Sequence, residues 1–163
     1  KTSPAHSWVK QVAQLWYNRF INTESEAIKD TSGSTVGQPT NTNPTRSDAA
    51  ANDDAYGILA GTGVGAESSE DYALGTKIAH GIGAGQLSYG ATTNTTGTIT
   101  GGKRFTVSRT FTNLSGASIT IQEVGLAVLQ DTKYYLWIRD LTGGTAVGNG
   151  QSAAYAYRMD YTI

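Results

Sequence analysis

The chain has 163 residues, a formal net charge of −1 with 15% charged residues, 20 glycines and no cysteine. That length accommodates one domain with a real core, the near-neutral balance gives no basic field to attract nucleic acid, and the missing cysteine excludes disulfides, thiolate metal ligands and a cysteine nucleophile. Abundant Gly, Thr, Ser and Asn beside sparse Leu, Glu and Lys favour a mainly β architecture with many reversals, and no apolar run approaches the ~18 residues of a membrane-spanning helix.

Residues 3–20 carry the one helical pattern. Ser3 suits an N-cap and Pro4 the first helical position. Trp8, Val12, Leu15, Trp16 and Phe20 then recur at spacings of three and four, an apolar stripe that needs a partner. That partner is either the chain's own sheet or a neighbouring subunit, which makes these five residues the candidate subunit interface. Residues 22–55 follow as an extended polar arm or loop, with a short strand expected at 27–29. An arm of this length is expected to lie against a neighbour or to stay a surface loop.

From residue 56 to 163 the pattern is that of a β-sandwich, within what reads as a single domain overall. YGILAGTGVG at 56–65 reads as a strand and a glycine turn. Its Gly61, Gly63 and Gly65 lack the dinucleotide-binding spacing, so they serve a tight turn. Residues 68–80 are expected to form one helical turn or a crossover. A short strand at 86–91 places Leu87 and Tyr89 on one face, and 92–103 reads as a Thr/Gly-rich connector.

Residues 104–128 are predicted to form two paired strands. Phe105, Val107, Arg109 and Phe111 share a face of the first, and Ala117, Ile119, Ile121 and Glu123 a face of the second. Asn113-Leu114-Ser115-Gly116 supplies the reversal. The apolar phase then shifts beside Gly125, as at a β-bulge. In such a hairpin Arg109 faces Ile121 with Glu123 as its diagonal neighbour, which predicts a structural Arg109–Glu123 ion pair. A strand at 133–140, a glycine-rich loop at 141–150 and a closing strand at 152–163 complete the chain. The closing strand alternates Ala153, Tyr155, Tyr157, Met159, Tyr161 and Ile163.

The sequence carries no catalytic pattern. His6 and His80 lie far apart, and no nucleophile elbow occurs. Asp53, Asp54, Glu67, Glu70 and Asp71 lack the calcium-loop pattern and read as solvated loop charges. No cofactor and no metal site is expected. Asn94-Thr95-Thr96 and Asn113-Leu114-Ser115 match the glycosylation sequon, which matters only in a eukaryotic secretory pathway. Tyr134, Tyr135, Trp137, Tyr155 and Tyr157 are candidates for an aromatic platform that binds a glycan; the alternative is that most of these rings are core.

The ordered motifs HSWVKQVAQLWYNRF, YGILAGTG, DYALGTKIAHG, GQLSYGA, RTFTNLSGASITIQEVGL, YYLWIRDL and MDYTI together resemble β-sandwich structural proteins of tailed-bacteriophage virions: capsid-decoration, head-fibre or tail-appendage subunits. The resemblance spans most of the chain outside 22–55. It implies an antiparallel sandwich (jelly-roll or Ig-like) with one N-terminal amphipathic helix, and no enzymatic activity. It also implies a homo-oligomer packed with other virion proteins, assembled in the host cytoplasm, with neither nucleic acid nor membrane as partner. Removal of residues 1–21 is then expected to abolish assembly and leave the sandwich folded. A carbohydrate- or receptor-binding module of a fibre is the alternative.

Overall fold

The structure is a computed structural model that describes residues 8–21 (side chains through Asn18), 27–36 and 44–162. Ser3, Pro4, His6, the Phe20 side chain, residues 37–43 and Ile163 lie outside the described residues.

Among the described residues one helix, α1 (Lys10–Ile21), precedes nine strands: β1 (Ile28–Lys29), β2 (Thr35–Val36), β3 (Gly57–Gly61), β4 (Ser88–Tyr89), β5 (Thr93–Ile99), β6 (Gly102–Thr112), β7 (Ile119–Gln130), β8 (Lys133–Val147) and β9 (Ser152–Thr162). Every strand pairing among the described residues is antiparallel. β3–β7–β8 form one sheet. In the other, β6 is central, with β9 along its whole length on one edge and β4 and β5 in succession along the other. Ile58, Val107, Phe111, Ile121, Leu126, Ile138 and Tyr157 fill the core between them, and the Tyr157 hydroxyl donates to the Val124 carbonyl across it, 3.2 Å. The molecule is mainly β with a sandwich-like arrangement and one helix near the N-terminus, as the composition and patterning predict.

The predicted hairpin at 104–128 is corrected. β6 and β7 lie in different sheets, and Asn113-Leu114-Ser115-Gly116 is an arch between them. Both edges of β6 are occupied, so none is left for β7. Turn-forming residues do not distinguish an arch from a hairpin; here Asn113 Nδ2 donates to the carbonyls of Ala117 (2.7 Å) and Val147 (2.6 Å), fixing the crossover. The predicted bulge beside Gly125 is corrected: β7 pairs residue for residue with β3 from Glu123 to Ala127, its apolar phase changes because 123–128 is buried on both faces, and its register shifts lie against β8, at Ile121/Glu123 and at Leu126/Ala127. The surplus residues sit in β8 at 142–144 and at Trp137. Gly143 and Gly144 take φ of +69° and +84°, which lets β8 run on to Val147 where a loop was expected. β5, expected as a connector, is an exposed edge strand.

The helix starts at Lys10, not Ser3. Trp8 forms a β-bridge with Ile138, and the Val9 amide donates to the Trp137 carbonyl at 3.0 Å, which draws these residues into extended pairing on the outer edge of β8. The Lys10 amide is then taken by the Ser69 carbonyl, 2.9 Å. Leu15 packs with Ile28, Val128 and Tyr135 in a second small core. The described parts of 22–55 also lie on the chain's own body: Ile28 is fully buried, and Arg46 exchanges two 2.8 Å backbone hydrogen bonds with Leu129.

Candidate functional site

Two buried cations hold the loops on the sandwich, and neither makes the predicted pair. Arg109 and Glu123 do not meet. Arg109 is 2% exposed, and its five N–H groups all go to carbonyl oxygens. Nε donates to Gly90 (2.7 Å), Nη1 to Tyr56 (3.0 Å) and Ile58 (3.1 Å), and Nη2 to Ala50 (3.1 Å) and Asp53. The guanidinium also sits 4.8 Å from the Tyr89 ring centroid. Burial lowers its pKa. Carbonyls suffice because each N–H of a desolvated guanidinium needs an acceptor, and the fork reaches five at once.

Glu123 is fully buried and binds Arg139 instead, Oε2 accepting from Nε at 2.7 Å. Three backbone amides complete its shell: Gly63 (3.0 Å) and Thr76 (2.8 Å) on Oε1, and Gly75 (3.0 Å) on Oε2. Burial alone raises a carboxyl pKa, but the Thr76 amide, Arg139 and the Gly75 amide outweigh it and hold Glu123 below its ordinary 4.5. Arg139 Nη1 continues to Asp71 (2.8 Å) and Ala66 O (3.1 Å), and Nη2 to Gly65 O (3.0 Å). The glycine turn is therefore a cradle around an internal carboxylate. A Cβ on Gly63 would stand 2.3 Å from Glu123 Oε1, and one on Gly61 2.5 Å. The turn is legible in the sequence but its occupant, Glu123, is not, because the strand pattern does not show which strand lies beside the turn.

The candidate interface residues divide. Val12 (7% exposed) and Leu15 (4%) are buried in the chain's own fold, which corrects their assignment to a subunit contact. Trp8 (44%) and Trp16 (55%) are exposed, and Tyr17, which the stripe left out, joins them at 50%. The proposed aromatic platform is corrected too. Tyr135, Tyr155 and Tyr157 are buried, and Tyr134 and Trp137 pack partly against the core.

Concavities lie among the described residues. One, about 650 Å³, lies between the free edges of the two sheets, where 145–147 of β8 face 151–155. Another, about 340 Å³, lies beside β3 and β8 and has Asp54, Lys77 and Tyr134 in its wall. Asp54 Oδ2 accepts the His80 amide at 2.6 Å, and Oδ1 faces Lys77 Nζ at 3.1 Å. Burial opposes ionisation there, but the His80 amide and Lys77 lower the Asp54 pKa overall. Among the described residues no three His, Asp or Glu side chains are grouped to hold a metal ion.

No protein family, curated protein or solved structure matches the chain.

Proposed function

We propose that the chain is a non-enzymatic structural subunit of a tailed-bacteriophage virion, acting by protein–protein packing in the capsid surface or tail. The reading rests on the ordered motifs that resemble such proteins. The observation that carries it is the exposure of three aromatic rings, Trp16 and Tyr17 on α1 and Trp8 in the extended pairing just before it, on a segment whose Val9, Val12 and Leu15 are buried in the domain. Large aromatic rings half out of water on a firmly held element are the residue types enriched at the centres of protein interfaces. In a symmetric particle the same patch recurs on every copy, so a modest contact is multiplied by the assembly.

Sedimentation velocity on the full chain tests this. The wild type is expected to form multimers as concentration rises. Trp16→Ser combined with Tyr17→Ser is expected to leave a monomer with an unchanged thermal transition, since neither ring is buried. A wild type that stays monomeric to its solubility limit, or a double variant that assembles as well as wild type, overturns the proposal.

A further inference from the structure

We infer that the 340 Å³ cleft beside β3 and β8 is a binding site for a neutral sugar ring of the hexopyranose class. This inference goes beyond the virion reading and does not depend on it.

The cleft's volume lies within the usual range for small-ligand pockets, roughly 300–1,000 Å³. Its inner wall is aliphatic, from Leu59, Leu74 and Leu136, with the Tyr134 ring beside them. That ring is held in place: Tyr56 stacks on it at 6.0 Å and 18°, and the Tyr134 carbonyl accepts the Thr31 amide at 2.9 Å. A pyranose presents C–H groups on its faces and hydroxyls around its rim. An aliphatic and aromatic wall with polar groups at its margin matches that division.

The polar groups decide between ligand classes. Asp54 and Lys77 are partly exposed, their side chains 28% and 40% accessible. They are already paired, and Lys77 Nζ also donates to the Asp54 carbonyl at 2.8 Å. Together they sum to zero charge. An anionic or cationic ligand would therefore meet no uncompensated opposite charge there. A vicinal diol fits better: one hydroxyl donates to a free lone pair of the Asp54 carboxylate while its neighbour accepts the remaining N–H of Lys77. Both bonds are charge-assisted and share one rigid pair. Asp54 is also fixed from behind by the His80 amide, so the pair is preorganised.

The test is an amide chemical-shift titration of the full chain with glucose, galactose, mannose and N-acetylglucosamine in turn, and with sialic acid as the anionic comparison. Saturable shifts at Thr31, Asp54, Leu74, Lys77 and Tyr134 with at least one neutral sugar are expected. Asp54→Asn is expected to weaken that binding roughly tenfold or more, the worth of a charged hydrogen bond. Should Asp54→Asn disturb the fold through His80, Lys77→Gln serves the same purpose from a more exposed position. Tyr134→Phe, which keeps the ring, is expected to retain binding. Absence of saturable shifts with every neutral sugar overturns the inference. So do shifts that map elsewhere, survive both charge-removing substitutions, or occur with sialic acid alone.

Discussion

Glu123 illustrates how one side chain organises several segments. Its carboxylate accepts from Gly63, Gly75, Thr76 and Arg139, so two turns and a strand depend on its charge. Because its pKa is lowered in the folded state, the stability it contributes is present above the ordinary glutamate value of 4.5 and is lost as pH falls through the lower folded value. Glu123→Gln presents an amide N–H₂ to a site built of donors. It is expected to cost about 3 kcal/mol or more at neutral pH and to shrink the loss of stability on acidification. Denaturant unfolding across the acid range checks both. Asp54, also lowered, continues to titrate, so the acid limb is reduced rather than abolished. The partners were not legible in the sequence. Arg109 and Glu123 were each recognisable as charges on apolar faces, but matching them required knowing which strands are neighbours. Arg139, the true partner, lies on β8, and no pattern within its own strand says that Glu123 on β7 is beside it.

At the scale of elements, the glycine turn after β3 separates two kinds of glycine. At Gly63 a Cβ would stand 2.3 Å from Glu123 Oε1 and 3.0 Å from the Thr76 nitrogen, whereas at Gly65 nothing lies within 4 Å. Gly63→Ala is therefore expected to destabilise by about 1–3 kcal/mol, the usual cost of forcing an atom into a filled site. Gly65→Ala is expected to stay near neutral; paired thermal melts distinguish them. β9 was legible as a strand because Ala153, Tyr155, Tyr157 and Met159 alternate inward, but the predicted face does not hold to its end: Tyr161 is 68% exposed. β5 was not: Thr93–Ile99 is polar on both faces, so no period of two shows. The length of β8 was hidden by Gly143-Gly144, which sequence rules assign to a loop and the structure uses as a kink within a continuing strand. The Asn113–Gly116 reversal was legible as a turn but not as an arch, since the same residue types serve both.

For the molecule as a whole, the helix is part of the body as well as a presenting surface. Val9, Val12 and Leu15 are buried, and burying such a side chain contributes roughly 1.5–3 kcal/mol. Removing residues 1–21 is therefore expected to lower the melting temperature and uncover Val128 and Tyr135, which dye binding to exposed apolar surface would report. That departs from the expectation of an intact sandwich after truncation, and it is why surface substitutions are the better probe of assembly. The Arg109 hub has a further consequence, for the order of events in folding. Its acceptors at Ala50, Asp53, Tyr56 and Ile58 lie 51–59 residues away in sequence, and Gly90 lies 19 away. Stripping water from that cation is unfavourable until the acceptors have arrived, and any opening of the 50–58 stretch strands the charge again. This stretch, though mostly irregular, is thereby coupled to the global transition. Its protected amide hydrogens are therefore expected to exchange with solvent on the timescale of the deepest strands, not of a surface loop, which native-state hydrogen exchange would check.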